Sequence, residues 1–568
     1  MFKYKDSSAT QLSMFDSLIG LTAREMRFLE KSWAKPFADY VFPAIDQKPF
    51  EVLYSDVPSR ANTPVNVILG ALILQQLTGQ SDDEILNSLL FDIRFQYALH
   101  TTNDQEQPLS DRTLGRFRAR CIAYEQETGI DLIHDAINSL NDQIAEMMKI
   151  DHSLKRMDSM MINANIRRMN RLDLIYTCTS NLAKILKSAK IELSQELLHY
   201  TEENDRNKVI YHSRTDAVVS RIEQILKDAK IIKKLCEEKL EDYESNSQYL
   251  LFVRMLNEQT TIDTDGNYQL KQAKSKQDNN TDDMASTNEI AETVEKQEES
   301  QSGEMSMDSN ILQNPSDPDA TFRSKNGSSF QGYAANITEE STEDGKYSII
   351  TSYQYDTNNT NDQTFCKQAI EELKVPEEGA VIVADGLFHG KEIEEAAADK
   401  NIEIINTNLS GRSVPDIYAD FKFNEEGTKV TECPNGIAPH KCSYNEKTGQ
   451  CIASFHSCDC KSCPFKDQCK PKINSKTSRK TISVSAKVRA EKQRFRSSAE
   501  FSKYSNYRNG VETVPSFFRS YFHVDRMPVR GKLRTKLFFG CMVAASNVMK
   551  FCNYISEGGY YAQNTVNA

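Results

Sequence analysis

The sequence lacks any apolar run long enough to cross a bilayer. The longest, Val65–Leu74 and Leu537–Phe551, are too short or too interrupted. Its opening residues, MFKYKDSSATQ, have no apolar segment of the kind that directs secretion, so a cytoplasmic protein with no membrane partner is expected. It also lacks an overall excess of positive charge: the formal net charge is −12, which taken alone argues against a nucleic-acid partner. A disulfide framework is not expected either. The thirteen cysteines are an odd number and seven of them fall within Cys433–Cys469, a clustering that points to metal binding in a reducing compartment.

What is present is ordinary soluble composition, 26% charged and 39% apolar, in a chain of 568 residues, long enough for two or three domains. The charge is unevenly placed. Residues 272–320 carry twelve Asp/Glu against three Lys/Arg, whereas residues 470–536 carry eighteen Lys/Arg against four Asp/Glu. The second stretch is a plausible phosphate-binding surface inside an acidic protein.

Residues 1–148 read as helical. Pro64–Gly79 begins with a helix-start proline and ends on a helix-stop glycine, and Ser81–Glu84 is a capping box. A later helix after Leu109-Ser110-Asp111 places Arg112, Arg116 and Arg120 four residues apart on one face. That stripe suits a DNA-reading helix or a solvated face. Lys149–Ile162 reads as a first strand, followed by a helical insertion at 163–260 with apolar residues at helical spacing. An acidic disordered linker is expected over 268–325, since its centre has no aromatic residue. Over 326–425, alternating segments (Gly332–Thr338, Tyr347–Tyr355), a short helix, the apolar strand Ala380–Ala384, another helix and Ile402–Asn406 predict a mixed α/β sheet with helices on its faces.

Three acids stand out. Asp158 interrupts the apolar run Met157–Ile162; a buried acid there needs a partner or a metal, unless it merely caps the next helix. Asp385 follows a buried strand, where ligand sites of α/β sheets gather, or else only turns the chain with Gly386. Glu512 lies in a basic neighbourhood between Arg508 and Arg519; both arginines suit phosphate, or a surface ion pair with Glu512.

The segments PLSDRTLGRFRAR, RMDSMMI, VIVADG and RNGVETVPSFFRSYFHVDRMPVRG together resemble the DDE transposases of bacterial insertion sequences, which have a ribonuclease-H-like core. Many of them carry Tyr-x2-Arg-x3-Glu-x6-Lys around the third acid. This chain has Arg508-x3-Glu512-x6-Arg519, with Ser505 at the tyrosine position, Tyr504 and Tyr507 beside it, and Arg in place of Lys. The resemblance implies that Asp158, Asp385 and Glu512 are catalytic and hold two Mg2+ (or Mn2+) ions. It further implies that Arg508 and Arg519 contact phosphates, that the substrates are the element's double-stranded terminal repeats and a target site, and that the protein pairs as a homodimer on two DNA ends. A silent DNA-binding regulator and a metal-dependent nuclease without strand transfer are the alternatives.

Within 430–475, Cys460-x2-Cys463 with Cys433 and Cys469 predicts a closed, structural four-thiolate Zn2+ site, free cysteines being the alternative. Such transposases often carry an insertion between the second and third acids. Residues 476–556 complete the core with a basic segment in which Arg530 and Arg534 are expected to bind DNA, alongside Arg112, Arg116 and Arg120.

Overall fold

The protein is seen here as a computed structural model, which describes residues 2, 16–55, 62–104, 106–211, 218–271, 310–325, 327–388, 390–408 and 413–558. Local sequence sets the N-terminal helices. Helix α1 (Val65–Thr78) follows Pro64 and stops at Gly79, whose φ of 67° only glycine adopts cheaply. Helix α2 (Asp82–Phe91) opens on Ser81, whose side chain accepts from the Glu84 N–H while Glu84 returns a bond to the Ser81 N–H. Helices α3 (Thr113–Thr128) and α4 (Leu132–Met148) lead into the first strand.

That strand, β1 (Ile150–Asn163), precedes a helical insertion containing α5 (Arg171–Ser188), α6 (Val218–Lys239) and α7 (Ser247–Gln259). The insertion has its own apolar core around Leu174, Leu182, Ile225 and Phe252. Two buried tyrosines tie it together: Tyr176 donates to Asp205 at 2.6 Å and Tyr200 to Asp228 at 2.8 Å.

The linker expected over 268–325 is narrower than its sequence suggests. Its centre, 272–309, lies outside the described residues, but both ends are ordered. Tyr268–Leu270 pairs with Thr260–Ile262, and Thr321–Lys325 forms β2. Leu312 is buried in the insertion's core, and Asp317 accepts from the buried Tyr333 hydroxyl at 2.6 Å. Partners distant in sequence order these acidic flanks, which composition alone does not reveal.

The sheet continues with β3 (Ser328–Thr342) and β4 (Ser348–Thr357), then α8 (Asp362–Glu372), β5 (Ala380–Ala384), α9 (Lys391–Asp399) and β6 (Ile402–Asn406). The spatial order is β2-β3-β1-β5-β6, with β4 also on β3. Strand β3 runs antiparallel to β1 and β4, whereas β1, β5 and β6 are parallel. This mixed α/β sheet is compatible with a ribonuclease-H-like core.

Past β6, a small four-stranded sheet is ordered β7 (Lys441–Asn445), β8 (Gln450–His456), β10 (Thr477–Ser483), β9 (Lys472–Ile473). The chain ends in α10 (Val484–Arg496), α11 (Ala499–Asn509), α12 (Thr513–Ser520) and the long α13 (Lys532–Ser556).

Both faces of the main sheet are covered. On one side α8 and α9 pack Cys366, Ile370 and Ile393 against Met157, Ile382 and Ile402. On the other, α1–α4 and α13 share a single core with Met160, Ile162, Tyr333 and Tyr353. Asn547 stitches this side: its Oδ1 accepts from the Ile350 N–H at 2.9 Å, and its Nδ2 donates to the Ile350 carbonyl at 2.7 Å and to Asn141 at 2.9 Å. Among the described residues no helix is long and apolar enough to cross a membrane.

Candidate active site

Strand register brings the first two acids together. Leu154, Lys155 and Arg156 lie opposite Val381, Ile382 and Val383 in the parallel β1–β5 pair. The same register continued by two residues sets Asp158 level with Asp385, the residue that follows β5. Burial pushes the Asp158 carboxyl up from its ordinary value, and the negative charge of Asp385 adds to that rise. Arg508, the Ser159 N–H and Lys325 pull the other way. Asp385 turns the chain sharply: its Oδ1 accepts from the Gly386 N–H at 2.7 Å and from Asn408 at 3.1 Å. Asp385 therefore serves the turn as well as facing Asp158.

The third acid reaches the same place through Arg508, at the end of α11. Its Nη2 stands 3.5 Å from Asp158 Oδ2 and its Nη1 donates to Glu512 Oε1 at 3.0 Å. Arg508 is 11% exposed and Glu512 60%, so a mostly buried cation joins a partly buried acid to one open to solvent. Glu512 ends a single 3-10 turn, Gly510–Glu512, within the continuous helical stretch that joins α11 to α12. Gly510 and Pro515 frame the change, since proline has no N–H to continue the ladder.

The other arginines divide. Arg519 donates to the Met161 carbonyl at 2.8 Å and to Asp525 at 3.3 Å; it braces the end of β1 instead of pairing with Glu512. Asp525 in turn accepts from the Asn163 N–H at 2.7 Å. Arg112, Arg116 and Arg120 are exposed on α3, Arg120 lying over the Tyr54 ring. Arg118, between them, turns inward to Asp82. Arg534 is exposed, and Arg530 bonds the Asn165 carbonyl at 3.0 Å.

Two contributors escaped the sequence reading. Arg156, two residues before Asp158, donates to the Tyr507 carbonyl at 2.9 Å and to Glu339 at 3.0 Å. Lys325, on β2, reaches the neighbourhood of Asp158 because the β2–β3 hairpin curls back: Arg323 stands 3.8 Å from Asp362, which accepts from Ser159 at 2.9 Å. Lys325 lies in no motif; Arg156 opens the segment RMDSMMI, where a charged residue in an apolar strand was the available signal.

The cysteine-rich module packs on Phe421, Val430, Cys451, Ala453, Phe455 and Ile482. Cys433, Cys460, Cys463 and Cys469 line one cavity of about 30 Å³ walled by Phe421, Phe455 and Phe465. Burial pushes the Cys469 thiol up to about 11; Lys480 opposes this, and the neighbouring Cys460, Cys433 and Cys463 add to it. Cys442, Cys451 and Cys458 do not line that cavity, and all the cysteines are free thiols. Among the described residues no group of three or more His, Cys, Asp or Glu side chains stands ready to hold a metal ion.

Residues 432–552 match the family model of a transposase DDE domain, and residues 29–120 match that of a second transposase domain. The first match spans most of the cysteine module, Arg508, Glu512 and most of α13; the second spans α1, α2 and most of the basic face of α3. Asp158 and Asp385 lie outside both. No curated protein and no solved structure matches the chain. Two matches to transposase families, one of them a DDE domain, support this chain's place among the insertion-sequence DDE transposases.

Proposed function

We propose that the protein is a transposase that binds the terminal inverted repeats of its element and catalyses metal-dependent DNA cleavage and strand transfer. One observation carries this reading: Arg508 bridges Asp158 and Glu512, from opposite ends of the chain, while Asp385 acts on Asp158 from the adjacent strand. Two of the carboxylates share one cationic partner, and the third follows the adjacent parallel strand, where an α/β sheet binds its ligands.

The donor set fits a divalent ion. It is all oxygen, as Mg2+ or Mn2+ requires, and Asp158, raised chiefly by burial and also by the charge of Asp385, is a carboxyl that a bound cation would hold ionised. Asp158 and Asp385 would hold the ions, and the exposed Glu512 would complete the set. When bound, two such ions supply Lewis-acid activation of the attacking oxygen and charge stabilisation of the leaving oxygen. Arg508, relieved of its carboxylate partners, is then available to a scissile-strand phosphate as a forked donor. Arg519 orients the end of β1 through the Met161 carbonyl and Asp525.

The four thiols Cys433, Cys460, Cys463 and Cys469 fit a structural zinc in the same way. They line one apolar cavity, and a bound cation would favour the thiolate at Cys469, whose thiol burial pushes up. The ribonuclease-H-like core would comprise β1, 326–425 and 476–556, with 1–148 supplying a DNA-binding surface; two copies would pair the two element ends in the cytoplasm.

The test incubates the protein with DNA carrying the element's terminal repeats and Mg2+, beside Asp158→Ala, Asp385→Ala and Glu512→Ala. Nicking and joining by the wild type, lost in all three variants, is the expected result. Nicking without joining makes the protein a nuclease, and binding without either makes it a regulator.

A further inference from the structure

Two cavities, of about 680 and 470 Å³, meet at Arg118, Val529 and Phe538. One wall is N-terminal: the α1–α2 connection and α3. The other is the segment 521–534 with the start of α13. Their floor carries unmet hydrogen-bonding capacity. Arg118 spends one guanidinium nitrogen on Asp82, but its buried Nη1 has no partner. Gln75 and Gln80 each donate to a protein side chain, yet both buried Oε1 atoms lack a donor. Buried polar atoms left this way are costly unless a polar occupant meets them.

The charges along the rim are unequal. The acids are already used: Asp82 by Arg118, Glu84 by the Ser81 cap, and Asp319 by the Lys532 N–H. Lys532 pairs with Asp356 at 2.5 Å. Arg526 and Arg534 are exposed and have no side-chain partner among the described residues, and Arg530 has only the Asn165 carbonyl. The exposed Arg526, Arg530 and Arg534 therefore line the cleft with no carboxylate partner among the described residues.

It also adjoins the acids. Asp525 holds the Asn163 N–H and Arg530 holds the Asn165 carbonyl, so the basic wall is fastened to the chain just beyond β1. Asn163 is five residues past Asp158, about 16 Å at ~3.3 Å per strand residue. Along duplex DNA that is about five base-pair steps at ~3.4 Å each.

We infer that this cleft grips the phosphate backbone of duplex DNA beside the scissile position, the N-terminal helices and the 526–534 segment acting as two jaws on one stretch. The inference rests on the reading of the ligand as DNA, but not on cleavage. Arg526 and Arg534 take phosphates from the rim.

The test uses the full chain without Mg2+ and a fluorescein-labelled duplex carrying the terminal repeat. Affinity is measured across a salt series for the wild type, Arg526→Glu, Arg534→Glu and, as control, Lys447→Glu on the exposed β7–β8 turn. Each cleft reversal is expected to weaken binding about tenfold and to lower the salt slope by about 1, with unchanged melting temperature and an unaffected control. Wild-type affinity and slope in both cleft variants, equal weakening by Lys447→Glu, or a wild type that does not bind the duplex overturns the proposal. Asp158→Ala, assayed separately with Mg2+ on the same duplex, keeps the two readings apart. If it cleaves, the catalytic reading fails and the cleft stands; if the reversals bind as wild type, the cleft fails and catalysis is untouched.

Discussion

The guanidinium of Arg156 occupies the space that a β-carbon on Gly510 would need. The same arginine donates to the Tyr507 carbonyl and lies over the Tyr507 ring, and the Tyr507 hydroxyl donates to the Leu154 carbonyl at 3.1 Å. The turn carrying Arg508 and Glu512 is thus keyed to the strand carrying Asp158. Gly510→Ala is expected to push that turn off β1 and to slow cleavage by on the order of 10²-fold, the cost of a misplacement of ~1 Å. DNA affinity should not change. Single-turnover cleavage beside equilibrium binding checks it, and a wild-type cleavage rate would remove the coupling.

Asp158 predicts a stability that depends on pH. Its native carboxyl is raised, chiefly by burial, above the ordinary 3.8. Between 3.8 and the raised native value the folded state binds more protons than the unfolded state, so this group's contribution is favourable below that window and is lost as pH rises through it. Asp158→Asn should therefore melt at a higher temperature than wild type near neutral pH, with the gain fading on acidification towards 3.8. Melting curves at stepped pH decide it; a difference independent of pH would assign the effect to something other than this charge.

The cysteine module should hold one zinc and depend on it. Its core is separate from the main one and small, so metal is expected to supply much of its folding energy, roughly 10–16 kcal/mol in isolated zinc modules. Cys460→Ser should lose the metal and expose the amides of β7–β10 to exchange, leaving α13 protected. Elemental analysis with amide exchange reads both. A variant that keeps a full complement of zinc would show that Cys460 is not a ligand.

Asn547→Leu tests the joint between α13 and the sheet. It strips partners from the buried Ile350 N–H and carbonyl and from Asn141. An unsatisfied buried group costs ~1–3 kcal/mol, so a loss of at least about 2 kcal/mol is expected in urea melts. A change within about 0.5 kcal/mol would mean the side chain is dispensable there.

Local signals located many elements well. Ala380–Ala384 and Ile402–Asn406 are strands over the residues their apolar runs mark, and the Ser81 capping box opens α2. Where a segment's state depends on a pairing partner, its own composition misleads. Thr321–Lys325 was taken as linker because its own composition is polar, and it is a strand because Ser328–Gly332 pairs with it. At Glu512 the helical stretch tightens to a 3-10 turn, where Arg156 from a strand far away in sequence packs against Gly510.

The site divides along the same line. Sequence alone determined which side chains could do chemistry: Asp158 in an apolar run, Asp385 after a buried strand, Glu512 among arginines, and the Cys460–Cys463 spacing. Tertiary structure alone decided what each one faces. Arg508 met two of the acids, Arg519 was drawn to the end of β1, and Arg118 turned inward while Arg116 and Arg120 stayed in solvent. The reason is physical: helix and strand period follow from neighbours a few residues apart, whereas an ion pair across 350 residues (Asp158 to Arg508) depends on which faces pack together.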